Sequence, residues 1–196
     1  TWLWDFGEGD TSNEQNPSHT FVNETDVTMQ FTISLTLSGD GGVSTEVKED
    51  YITVYVPVQS EFTCDIVSGI SPVTVSFTDA STGDFDTWLW DFDDGDTSTV
   101  QNPVHTYTHN GNNREVSYTV SLTVSGDGGE HTETKDNYIT VYEPIAVDFV
   151  ADTLAGVSAL TVQFTDVSTG DYNMWLWDFG DDSTSNESNP VHTYLN

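Results

Sequence analysis

Basic residues are almost missing from this 196-residue chain: Lys48, Arg114 and Lys135 stand against 33 acidic side chains, for a formal net charge of −30. Total charged content is only 18%, below the roughly 25% usual in soluble proteins, so the imbalance comes from absent cations more than from abundant acids. Such a surface repels the phosphates of nucleic acids and of anionic lipids, which excludes both as partners, and it attracts cations. Cysteine is equally scarce. Cys64 stands alone, so no intrachain disulfide forms, and a secreted β protein without one relies on packing, bound ions or its neighbours. No apolar run approaches the roughly 20 residues of a membrane-spanning helix, no signal peptide opens the chain, and no segment sustains a helical period. The chain starts just before a Trp-rich strand and reads as a stretch of a longer polypeptide. Strong acidity suggests disorder, but 6 Trp, 8 Tyr and 10 Phe demand burial and recur at regular spacing. The sequence predicts a folded chain.

What is present is a repeat. Trp2-Leu3-Trp4-Asp5-Phe6 returns as Trp88-Leu89-Trp90-Asp91-Phe92 and as Trp175-Leu176-Trp177-Asp178-Phe179, at spacings of 86 (2 to 88) and 87 (88 to 175). Asn16-Pro17-Ser18-His19-Thr20-Phe21 likewise returns at Asn102–Tyr107 and Asn189–Tyr194. The extra residue of the second copy falls in the loop His109–Asn113, where insertions are cheap. Within a copy, apolar residues alternate at period two: Val116, Tyr118, Val120, Leu122 and Val124 against Ser and Thr, and Met29, Phe31, Ile33, Leu35 and Leu37 likewise. That pattern predicts antiparallel strands with one buried and one solvated face. Gly39-Asp40-Gly41-Gly42 and Gly126-Asp127-Gly128-Gly129 supply hairpin turns. Short strands about every 10 residues predict an all-β chain of tandem β-sandwiches.

The run Trp90-Asp91-Phe92-Asp93-Asp94-Gly95, followed by Asn102-Pro103-Val104-His105-Thr106-Tyr107, resembles the polycystic-kidney-disease (PKD) domain family. Val75–Gly83 and Val162–Gly170 match the family's second strand and the loop after it. The copies depart from the motif at Glu8, Asp93 and Asp182. The resemblance covers the whole chain and implies immunoglobulin-like sandwiches in a linear array, with starts near Pro57 and Pro144, where Pro breaks the sheet. In that frame residues 57–143 form a complete domain, 1–56 the later part of a preceding one, and 144–196 the earlier part of a following one. The partial domains are expected to expose Trp4, Phe31, Phe164 and Trp177 until they are completed. Completion comes either from further chain or from β-strand addition by a neighbouring copy, giving a head-to-tail polymer or a long covalent array.

The acidic loops carry the candidate chemistry. Asp79, Ser81, Asp84 and Asp86 leave one strand, and Asp91, Asp93, Asp94 and Asp96 follow the next. The third copy offers Asp166, Ser168, Asp171, Asp178, Asp181 and Asp182. Oxygen ligands from two loops at one end of a sandwich suit Ca²⁺, which accepts 6–8 oxygens in loose geometry; calcium sites known in some PKD domains point the same way. The same carboxylates equally serve as turn caps that accept backbone N–H groups. His19, His105 and His192 each sit alone, a domain apart, and read as hydrogen-bonded structural residues, because tetrahedral zinc needs four close ligands. Trp88 and Trp90 share a parity with Phe92 and read as core, against the alternative of an exposed platform for a polysaccharide or protein ligand. Cys64 aligns with Ala151 and reads as a small core residue. Asn23-Glu24-Thr25 and Asn186-Glu187-Ser188 are glycosylation sequons.

No nucleophile elbow or Cys/His pair repeats, and the reading is not an enzyme. It is an extracellular or cell-surface structural array stabilised by calcium: a filament, surface-layer component or adhesin stalk. The alternative is a set of ancillary polymer-binding modules of a secreted hydrolase.

Overall fold

The computed structural model describes residues 1–109 and 114–195, so part of the loop with the inserted residue (110–113) lies outside the described residues. Among the described residues every regular element is a strand. The first unit is one antiparallel sheet. It is built from β1 (Trp2–Asp5), β2 (Thr11–Ser12), β3 (Met29–Gly39) and β4 (Gly42–Val54), in the order β2-β1-β3-β4.

The second unit closes into two layers. Its strands are β5 (Phe62–Cys64), β6 (Ser68–Ile70), β7 (Val73–Asp79), β8 (Thr87–Asp91), β9 (Thr97–Ser98), β10 (Val104–Tyr107), β11 (Glu115–Gly126) and β12 (Gly129–Tyr142). One sheet runs β10-β7-β5 and the other β6-β12-β11-β8-β9, with β6 parallel to β12. Period-two alternation places Val73, Val75 and Phe77 of β7 against Trp90 of β8 and Val120, Leu122 and Val124 of β11, all buried. Phe62, Phe92, Tyr107, Ile139 and Val141 complete the core, and Trp88, Tyr118 and Cys64 pack half-buried on its rim. The Trp90 ring is fully buried. It meets Phe62 edge-on with centroids 5.2 Å apart and lies 5.5 Å from Phe77, while its Nε1 donates to the Val100 carbonyl at 3.0 Å. A large apolar ring with a satisfied N–H suits a sandwich centre.

The register between β11 and β12 shifts at a bulge: Tyr118 faces Ile139, but Val120 faces Lys135. The same shift separates Phe31 (opposite Ile52) from Ile33 (opposite Lys48) in the first unit. Asn137 and Asp50 take the left-handed φ (50° and 49°) that such a bulge needs, and their N–H groups donate to Thr119 and Thr32 hydroxyls at 3.3 Å. The bulge aims Lys135 across the sandwich. Its Nζ donates to Glu61 Oε1 (2.6 Å) and the Phe62 carbonyl (2.5 Å) and sits 4.6 Å above the Phe62 ring. One of the three basic side chains thus ties the two sheets together.

The third unit comprises β13 (Phe149–Ala151), β14 (Leu160–Asp166), β15 (Trp177–Asp178), β16 (Thr184–Ser185) and β17 (Val191–Tyr194), in sheets β13-β14-β17 and β15-β16. Between them lies an apolar groove of about 480 Å³ lined by Phe149, Phe164, Trp175, Trp177 and Tyr194. Trp4, Phe164 and Trp177 are half-buried in their units. Phe31 departs from its expected exposure: only 4% of it is accessible. Phe21, 5.0 Å away, packs over it with Phe6, Met29 and Ile52.

Replacing Trp90 by Ala is expected to cost about 3–5 kcal/mol in denaturant unfolding, the usual range for emptying a buried aromatic site. Trp4→Ala, at the half-buried equivalent, costs less. Equal losses at the two positions would contradict the burial difference between the units.

Candidate functional site

The acidic residues divide around β8. Asp79, Ser81, Asp84 and Asp86 precede the strand, where Thr87 pairs with Ser125 beside the β11–β12 turn. Asp91, Asp93, Asp94 and Asp96 follow it, beyond the Asp91–Ser121 pair. A five-residue strand spans about 15 Å, so these loops lie at opposite ends of the sandwich and supply no common ion. The expected single cluster at one end is therefore corrected. Short sequence distance misleads here because an extended strand separates its flanks as far as chain geometry allows. The third copy divides in the same way, with Asp166, Ser168 and Asp171 before the Trp strand and Asp178, Asp181 and Asp182 after it.

At the first end the carboxylates hold the loop together. Asp79 Oδ1 accepts the Ser81 N–H at 2.9 Å, and Oδ2 accepts Trp88 Nε1 (2.7 Å) and Gln101 Nε2 (3.2 Å). Partial burial pushes the Asp79 carboxyl up, but the bonds from Ser81, Trp88 and Gln101 outweigh it and hold the group below the usual range. Asp166 repeats this, accepting from Ser168 N (3.0 Å), Trp175 Nε1 (2.8 Å) and the Tyr172 hydroxyl (2.9 Å). Its carboxyl is held well below the ordinary range, by Ser168 first and Trp175 next.

Asp84 belongs to the junction between the first two units. Its Oδ2 accepts the Val56 N–H at 2.6 Å and the Thr28 hydroxyl of the first unit. Its own N–H donates to the Val56 carbonyl (3.1 Å), and its carbonyl accepts from Gly128 (2.8 Å). Gly128 must be glycine, since a Cβ there would lie 2.0 Å from the Val56 oxygen. The Thr28 hydroxyl and the Val56 amide lower the Asp84 pKa. At the next junction Asp171 N–H reaches the Glu143 carbonyl at 3.3 Å, Glu143 Oε2 accepts from Gly170 N (3.1 Å), and Arg114 Nη1 donates to the Tyr172 carbonyl (2.6 Å).

At the second end, Asp91 and Asp178 each accept a backbone N–H two residues on, from Asp93 and Gly180, at 2.9 Å. Asp93 Oδ2 accepts the Thr119 N–H at 2.9 Å. Asp94 Oδ1 accepts Asp96 N–H (3.1 Å), while its Oδ2 lies 2.7 Å from His105 Nε2. His192 pairs with Asp181 at 2.8 Å, and His19 pairs with Glu8. Each imidazole also stacks flat on the motif Phe (Phe6, Phe92 or Phe179) with centroids 4.2 Å apart. Sequence reasoning took these histidines as solitary. The recurring 11-residue offset to an acid was the signal for their partners.

The two sequons differ. Asn23 Nδ2 donates to the Val27 (2.9 Å) and Val54 (3.1 Å) carbonyls, which occupies the atom a glycan needs, whereas Asn186 is exposed.

Fold and loops together define a tandem of immunoglobulin-like all-β units whose polar groups mainly brace turns and junctions. The chain belongs to the PKD domain family, whose profile matches residues 1–54, 57–141 and 143–196. It is 44% identical over 63 residues to "Collagenase ColQ1" of Bacillus cereus (strain Q1), covering 29% of this chain and 6% of that protein. It is 37% identical over 81 residues to "Pre-pro-metalloprotease PrtV" of Vibrio cholerae serotype O1, covering 41% of this chain and 8% of that protein. The chain therefore spans under a tenth of these relatives. Among solved structures, the N-terminal four Ig domains of Dscam1 isoform 6.9 align at 12% identity and a TM-score of 0.37, over 74% of this chain and 37% of that one.

Asp79, Asp84 and Asp166 all have folded pKa values below their ordinary ones. Their stabilisation is full above the unfolded Asp pKa of about 3.9 and is lost as pH falls through the folded values. Thermal melts are expected to be flat from pH 7 to about pH 5 and to fall steeply below about pH 4. Asp84→Asn should shrink that acid-side fall, and an identical profile for the variant would remove Asp84 from the account.

Proposed function

We propose that this chain is a non-catalytic run of ancillary PKD modules in a secreted protein, spacing a hydrolase's catalytic domain from a polymer and helping to engage it. The observation that supports this reading is the similarity to segments of a collagenase and a metalloprotease. The same relatives support an extracellular reading. The modules contribute reach and stiffness, and Asp84 limits rotation at one junction by bonding both sides of it. That clamp, with the near-identical copies, also favours a second reading: a filament, surface-layer component or adhesin stalk assembled from neighbouring copies.

Pull-down of the purified chain with insoluble collagen and with chitin separates these readings. The ancillary reading expects retention on at least one polymer. No retention on either, with an elongated particle in solution scattering, favours the stalk.

Calcium enters as a stabiliser of this acidic surface, through loop carboxylates such as Asp91 and Asp178, whose second oxygen has no partner among the described residues beside the turn-capping one. Extracellular modules bind calcium with Kd of about 10⁻⁴–10⁻³ M, so millimolar calcium adds about 0.4–1.4 kcal/mol per site. The melting temperature should fall on chelation at constant ionic strength, and Asp91→Asn should remove much of that response. A melt indifferent to chelator would leave the carboxylates as turn caps alone.

A further inference from the structure

We propose that Asp94, Asp96 and His105 form a three-ligand site for a borderline divalent metal of the Zn²⁺ class, repeated in the first unit by Glu8, Asp10 and His19. In each unit one ligand atom from every member lies within 4.8 Å of the other two. One short turn places both carboxylates. Asp94 Oδ1 accepts the Asp96 N–H, the Asp96 carbonyl accepts the Phe92 N–H at 3.3 Å, and Gly95 (φ 97°) turns the chain between the two acids. The imidazole is held before any ion arrives, because it lies 3° from parallel on the Phe92 ring, with Nε2 facing Asp94. Fixing ligands in advance removes part of the ordering cost of binding.

A histidine–carboxylate pair alone accounts for Asp94 and His105. It does not account for Asp96. Among the described residues, no hydrogen bond or ion pair reaches the Asp96 or Asp10 side chain, although each sits beside a second carboxylate. Like charges at this separation repel weakly in water, and a cation between them turns that repulsion into attraction. The basic side chains are engaged elsewhere: Lys48 at Tyr51, Lys135 at Glu61 and Arg114 at Tyr172. A metal ion relieves that repulsion and takes the carboxylate that the pair leaves over. An imidazole nitrogen with two carboxylates suits Zn²⁺ and its neighbours, whereas Ca²⁺ prefers all-oxygen cages. The exposed turn leaves the fourth position to water or an outside donor.

The third unit is a built-in control. Ser183 occupies the place of Asp96, its hydroxyl bonds to Asp181, and Asp181 pairs with His192 at 2.8 Å. The pair survives there without the second carboxylate, so the pairing does not need Asp96 or Asp10. The third unit is expected not to bind.

Titration calorimetry of the whole 196-residue chain with Zn²⁺, after chelator treatment, tests the site. The expected result is saturation at about two ions per chain, insensitive to a hundredfold excess of Ca²⁺. Asp96→Ser and Asp10→Ser should each weaken one site at least about tenfold, and Ser183→Asp should add a third. The gained site guards against variants that merely misfold, and melting curves check folding in each case. No saturable Zn²⁺ binding, or a stoichiometry unmoved by all three substitutions, would overturn the site and leave a structural pair only. Displacement of Zn²⁺ by Ca²⁺ would overturn the choice of metal.

Discussion

Closure of two apolar sheet faces over the Trp90 ring is the constraint on which the structure depends. A single sheet has one face to hide, and β7 and β11 hide theirs against each other, with Trp90 filling the gap. Where both layers are present the aromatic ring is fully enclosed, and where one sheet stands largely alone its counterpart Trp4 is not. The loops inherit their positions from this closure, since each must leave the sandwich at one end or the other. Separation of the acidic loops is thus a by-product of packing, with consequences for any ion the chain holds.

A chain with a net charge of −30 also has to keep its acids from pushing the fold apart. Among the described residues ion pairs are few, and backbone amides, indoles and hydroxyls donate to many of the loop carboxylates. Asp79 and Asp166 each take a Trp N–H and a turn amide, while Asp84 takes an amide and a hydroxyl from the far side of a junction. These donors are neutral, so the bonds leave the net charge intact while fixing loop shape. Local geometry is well satisfied, and the surface remains strongly attractive to cations.

Much of the fold was legible in the sequence because period-two alternation and a long motif were both repeated. The buried set around Trp90 and Phe92 followed from parity alone. The candidate site was less legible. Asp84 and Thr28 are 56 positions apart, and nothing in either segment announces a junction. Asp79 and Asp91 look adjacent in the sequence, yet a strand holds them apart. Phe31 seemed bound to be exposed, but Phe21 closes over it within the same unit, and that contact arises from a loop the alternation pattern does not describe. The histidine partners were visible in principle, since an acid stands 11 positions upstream of each motif His. Comparing pairs of positions across copies would have found them.

The Lys135 contact across the sandwich bears on how long such a chain lasts among proteases. Enzymes that cut after basic residues have three bonds to choose from in the 196-residue chain. Two of them lie inside strands of 13 and 14 residues, and cleavage requires a segment to leave its sheet first. Releasing Lys135 also means breaking its bonds to Glu61 and the Phe62 carbonyl, which join the two layers. Arg114, outside the strands, keeps its guanidinium on Tyr172. A polypeptide so poor in cations presents trypsin-like enzymes with few openings.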